Sequence, residues 1–158
     1  MTTSLVFYGI LGILSTAVAV VGNRRLFVKG GAGPVSVLEG LYYVFGLASL
    51  GLGWYFNVRY VHQYGHQATY GGYTKALFAN WASDSAAQDY IMVNVILFPL
   101  WSITDGRRRG MRIPWIFFVM SLFTSLAFSV AVYLACVERQ IRYRRPAPVE
   151  SSTSYPQL

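Results

Sequence analysis

Apolar positions along this chain gather into four long uncharged runs separated by short polar segments. Met1–Asn23 and Gly40–Val58 carry no charge, Tyr90–Thr104 is a shorter run, and Ile113–Val137 is the longest. A helix that crosses a bilayer needs about 20 mostly apolar residues. Three runs meet that length outright, and the third does so when Asp89 sits at its water-facing end. The pattern predicts an all-α polytopic membrane protein with four transmembrane helices, arranged as two hairpins joined by an aromatic-rich loop. Helices are expected at about 4–22, 35–56, 86–104 and 114–137, within one transmembrane domain over 1–145. Residues 146–158, rich in Pro and Ser, read as a disordered tail.

Local signals refine the boundaries. Gly9, Gly12, Thr16 and Ala19 share one helical face. Gly46, Ser49 and Gly53 make a second small-residue face, and Ser121, Ser125 and Ser129 recur at four-residue spacing on a fourth helix. In lipid, such faces let backbones approach closely, so the expected packing residues are Gly12, Thr16, Gly46, Ser49, Gly53, Ser121, Ser125 and Ser129. Ser36 with Glu39, and Ser85 with Gln88, have the spacing of capping boxes that open helices two and three. Pro99 predicts a kink. Residues 57–85 hold both histidines and four tyrosines, a composition that fits an ordered cap better than a flexible linker.

The net charge of +7 would suggest nucleic acid in a soluble protein. Here eleven of the thirteen basic residues fall in two short loops and the C-terminal segment. That distribution fits arginines meeting lipid phosphates and setting orientation. Arg24, Arg25, Arg107, Arg108, Arg109 and Arg112 are the expected headgroup contacts, and no nucleic-acid partner is expected. Arg24 and Arg25 follow the first apolar run instead of preceding it, which fits an uncleaved anchor with its N-terminus outside the cytoplasm. With four crossings, the two basic loops would share the cytoplasmic side and both termini would lie outside. A single cysteine, Cys136, excludes a disulfide framework and CxxC redox or zinc motifs.

Chemistry-bearing residues are sparse. No ionisable group lies at the middle of any run, which disfavours a proton-coupled transporter or channel. Glu39 has a structural explanation as a capping carboxylate at a positive helix end. Asp84, Asp89 and Asn94 lie around the start of helix three. If the chain is an enzyme, Glu39, Asp84, Asp89 and Asn94 are its candidate acid–base and orienting groups. His62 and His66 have a metal-ligand spacing only if the segment is helical, and Gly65 between them argues against that. No metal and no cofactor are expected.

The run NWASDSAAQDYIMVNVILFPLWSITDGRRRGMR over 80–112, the helix after it, and LEGLYYVFGLASLGLGWYFNVRYVHQY over 38–64 resemble a family of short bacterial membrane proteins. The family has about four helices, includes actinobacterial members, and is classed as a domain of unknown function. Its most recognisable part is the Asp-Gly-Arg-Arg-x-Gly turn between two apolar helices. The resemblance implies a multi-pass protein of the bacterial inner membrane. It implies no activity, substrate or catalytic residue.

Small-residue seams without a nucleophile, metal or mid-membrane charge favour a non-enzymatic accessory or structural subunit of a larger membrane assembly. Its expected partners are membrane lipids and other membrane proteins or further copies of itself. The alternative is a membrane-embedded enzyme of cyclase or isomerase type, acting on a lipid or isoprenoid substrate. A transporter component ranks below both.

Overall fold

The computed structural model describes residues 2–28 and 32–144, and every regular element among them is helical. Seven α-helices follow in order: α1 Thr2–Gly22, α2 Val37–Tyr64, α3 Tyr70–Leu77, α4 Trp81–Ile91, α5 Phe98–Arg108, α6 Ile116–Phe123 and α7 Leu126–Arg144. A π-helical segment, Met92–Leu97, joins α4 to α5 in one continuous rod. Three helical stretches, not four, are long and apolar enough to cross a membrane among the described residues: Leu5–Gly22, Val37–Gln67 and Trp81–Arg108.

The expected fourth helix over 114–137 is broken. Thr124 and Ser125 leave the helical path, and α7 runs back antiparallel to α6. The Ser129 hydroxyl reaches the Phe117 carbonyl, and the Phe117 and Tyr133 rings meet edge to face at 5.1 Å. Side chains replace the backbone bonds lost at the turn. Thr124 Oγ1 donates to the Met120 carbonyl at 2.7 Å, and Ser125 Oγ accepts the Phe128 N–H at 3.1 Å as a cap for α7. Such substitution is what an apolar surrounding demands of interrupted backbone.

The α6–α7 hairpin is the centre of the molecule. Met120, Phe117, Tyr133 and Cys136 are buried on it, with α1 leaning on α6 and α2 on α7. Gly46 permits the second contact, since a Cβ there would lie 3.1 Å from Ala131 Cβ. Outward faces are apolar and open, with Ile13 at 71% and Phe45 at 67% exposure. Polar groups, in contrast, are gathered inside or at the two ends.

Both ends of the hairpin lie at the same end of the bundle as the close of α1 and the start of α2. Arg25, just after α1, reaches the Gly110 carbonyl before α6 and lies 3.4 Å from Gln140 of α7. Consequently Arg24, Arg25, Arg107, Arg108, Arg109, Arg112, Arg139, Arg142 and Arg144 all cluster at one end, while Arg59 and Lys75 lie at the other.

Other boundaries also differ from expectation. α2 runs eight residues past 56, until Gly65 adopts a φ of 55° and ends it. The third rod starts at Trp81, capped by Asn80 Oδ1 accepting the N–H groups of Ala82 and Ser83, so Ser85 and Gln88 lie inside the helix. Much of the 57–85 connection is therefore helical. Pro99 is the second residue of α5, within a turn of the π-helical segment, whose wider turn accommodates a residue with no N–H to give. The expected tail at 146–158 lies outside the described residues.

Candidate functional site: a buried carboxylate and an apolar cleft

Glu39 has no exposed surface, although it stands only three residues into α2. Half of the expected capping box forms: Ser36 Oγ accepts the Glu39 N–H at 3.2 Å. The carboxylate does not return the bond. One oxygen pairs with Arg139 and accepts from Tyr43 at 2.7 Å, and the other pairs with Arg142. Arg139 and Arg142 are three apart on α7, hence on one face. Each also holds carbonyls from the loop before α2: Arg139 donates to Leu26 at 2.8 Å, and Arg142 donates to Ala32 at 3.0 Å and to Pro34. The cluster therefore ties α2, α7 and the α1–α2 loop together. Arg139 also covers the Phe27 ring, 4.7 Å from its centroid.

Two further polar clusters serve the hairpin. Buried Asn94, in the π-helical segment, accepts from Ser121 at 2.6 Å and donates to the Tyr90 hydroxyl at 3.0 Å. At the basic end, Asp105 accepts from Tyr133 at 2.7 Å and pairs with Arg109 at 2.6 Å. That hydrogen bond is the largest reason the Arg109 guanidinium holds its proton above the ordinary arginine range.

The remaining sequence candidates do not converge. Asp89 is exposed beside Gln88, and Asp84 lies on the same helix at its first turn. His62 and His66 are exposed with the Gly65 break between them, and the described residues contain no cluster of three or more metal-ligating side chains. Of the arginines expected at headgroups, Arg25 and Arg109 have protein partners, while Arg24, Arg107, Arg108 and Arg112 are exposed.

The expected packing residues divide as well. Gly12 meets the hairpin turn, where a Cβ would lie 3.0 Å from the Phe123 carbonyl oxygen; Thr16 bonds back to the Gly12 carbonyl at 2.8 Å. Ser49 and Ser125 share a 3.0 Å hydrogen bond between α2 and that turn. Ser121, Ser125 and Ser129 thus serve three different elements, because the helix that would have aligned them is folded double. Gly53 has open space where its Cβ would be. We expect Gly12→Val to lower stability by about 1–3 kcal/mol through overpacking. Gly53→Ala should be neutral or stabilising, as alanine favours a helix by up to ~1 kcal/mol over glycine. Unfolding in detergent micelles measures both, and equal tolerance would remove the close contact at Gly12.

Beside the hairpin lies a cleft between α1 and α2. A cavity of about 880 Å³ follows α1 from Val6 to Val21, and one of about 210 Å³ continues toward the basic end between Val20, Phe27 and Tyr43. Thr16, Val20 and Phe128 line both. Carbon dominates the walls. Sequence reasoning missed the Glu39 partners and this cleft. The Arg139–Arg142 spacing was the available signal for the first, and the second depends on the chain folding back at Ser125.

No curated protein and no solved structure matches the chain. The profile of the family described as "Protein of unknown function DUF2834" matches residues 41–139, from α2 through the hairpin as far as Arg139. That span exceeds half of the chain, and the protein belongs to this family.

Proposed function

We propose that this chain is a multi-pass protein of the bacterial cell membrane, serving as a non-enzymatic accessory or structural subunit of a larger membrane assembly. The state of Glu39 carries the reading. It is the only carboxylate with zero exposure among the described residues, and both of its oxygens are engaged by arginines that fix the fold. A general acid or base needs reach to a substrate proton. Glu39 is enclosed by its partners, and Asp89 lies apart on the exposed face of α4. The expected partners are membrane lipids and other membrane proteins or further copies of the chain.

In the same reading, α1, α2 and the α4–α5 rod cross the bilayer, while α6–α7 enters from the basic end and returns to it. Basic residues retained in the cytoplasm set orientation, so the arginine-rich end faces the cytoplasm.

One observation favours the alternative of an enzyme on a lipid or isoprenoid substrate. Tyr43 lines the smaller cavity while its hydroxyl bonds Glu39, which places the carboxylate one hydrogen bond from the cleft. Complementation of a deletion strain separates the two. Asp89→Asn and Tyr43→Phe should each restore the wild-type phenotype at normal membrane abundance. Removal of a general acid–base group would instead reduce turnover by about 10²–10⁴-fold. Loss of function with either variant at normal abundance would overturn the subunit reading.

A further inference from the structure

We infer that the α1–α2 cleft is a binding site for one acyl tail of an anionic phospholipid, whose phosphate is held by Arg24 and Arg112. The inference rests on the membrane placement proposed above. Its first support is chemical. The two hydroxyls in the larger cavity, on Thr16 and Thr124, are already spent on the Gly12 and Met120 carbonyls. The other polar side-chain atom on the lining is the Trp54 indole N–H, so an apolar chain fits and a polar one would lose most of its hydration without return.

Shape is the second support. From Val6 to Val21 the cleft follows α1 for about 22 Å at 1.5 Å per residue, near the length of an extended long-chain acyl tail. Its volume falls in the range of about 300–1,000 Å³ typical of ligand sites. Near its far end Gly9 lies against Trp54, where a Cβ would stand 2.8 Å from the indole. At that contact α1 and α2 meet, and from it the cleft continues toward the basic end.

Charge at that end selects the headgroup. Arg24 stands two residues beyond α1, and Arg112 precedes Ile113, whose side chain lies against Gly22 at the close of α1. Both arginines are exposed. Arg139 is near as well but is held by Glu39. Guanidinium groups match phosphate oxygens in geometry as well as charge, so a lipid with net negative charge gains over a zwitterionic one.

The test uses the full chain, reconstituted with equal amounts of phosphatidylglycerol and phosphatidylcholine, then released into mild detergent for native mass spectrometry. The wild type should retain phosphatidylglycerol at least about fivefold over phosphatidylcholine, about 1 kcal/mol at 1.4 kcal/mol per tenfold. Ala17→Phe, which places a ring in the cleft from an exposed position, should lose retained lipid. Arg24→Gln with Arg112→Gln should keep a lipid but lose the preference. Equal retention of the two lipids by the wild type overturns the inference, as does undiminished retention by Ala17→Phe. A dimer with no retained lipid, the cleft being filled by a second copy, overturns it too.

A second measurement needs no cleft variant. With Trp54 as the sole tryptophan, tail-brominated phosphatidylglycerol should quench its fluorescence more than tail-brominated phosphatidylcholine at equal mole fraction. Equal quenching counts against the site. Carbonate extraction of native membranes keeps the two failures apart, because a chain released by carbonate refutes the membrane placement itself.

Discussion

Glutamine at position 39 is expected to lower the unfolding free energy by about 3 kcal/mol, the low end of the range for breaking a buried ion pair. The low end applies because Glu39 is fully enclosed while Arg139 and Arg142 keep 11% and 15% side-chain exposure. Once the carboxylate is gone, two guanidinium groups stay close together, with carbonyls, the Tyr43 hydroxyl and, for Arg142, the Glu138 carboxylate at 3.5 Å as partners. Part of their charge can still reach water. The variant should therefore unfold earlier in a denaturant titration in micelles, with membrane abundance falling in parallel. Pairing it with Arg139→Gln tests the cause, since the second change removes a charge the first one strands. The double variant should be more stable than the sum of the single losses predicts, by at least about 1 kcal/mol, as coupled neighbours show. Additive losses, or a single loss below about 1 kcal/mol, would mean that the cluster does not hold α2 to α7.

That result would also mark where sequence reading stopped. The helical class and the three apolar rods were visible because span length is a local property, fixed by bilayer thickness. The Ser36 cap at α2 was visible for the same reason. Glu39 was not assigned its partners, because a capping carboxylate and a buried ion-pair carboxylate look alike in one strand of text. What separates them is Arg139 and Arg142, a hundred residues away. The break at Ser125 was hidden differently. Residues 113–137 have the length and composition of a span, and Thr and Ser are tolerated inside such helices. Only the return contacts of α7 reveal that their hydroxyls replace the missing backbone bonds. Once the hairpin is missed, Ser121, Ser125 and Ser129 read as a single stripe, and Gly53 reads as packed when it lies beyond the hairpin's reach.

The same fold-back resolves an ambiguity in charge. With four crossings, the basic residues divide seven to six between the two sides, and orientation rests on the early helices alone. Returning α7 to the end where α6 starts moves the described arginines after Val137 into the larger group, giving nine against Arg59 and Lys75 among the described residues. Under the proposed membrane placement, the positive-inside rule then puts that end in the cytoplasm.

An all-or-none labelling pattern should follow. In a Cys136→Ala background, single cysteines are placed at three sites: exposed Arg108 at the end of the rod, exposed Ile141 near the end of α7, and Gly71 on α3, where a Cβ meets open space. A membrane-impermeant maleimide applied to intact cells should label Gly71→Cys and spare the other two. Permeabilised cells should label all three, which shows that each thiol is reactive. The decisive comparison is Ile141 with Gly71, since four crossings put these on one side and a hairpin puts them on opposite sides. Joint labelling of those two with Arg108 protected would refute the re-entrant path. Labelling of Arg108 and Ile141 with Gly71 protected would keep the hairpin and reverse the orientation. In that case the arginines would face outward, against the charge rule, and the phosphate partners of Arg24 and Arg112 would belong to the opposite leaflet.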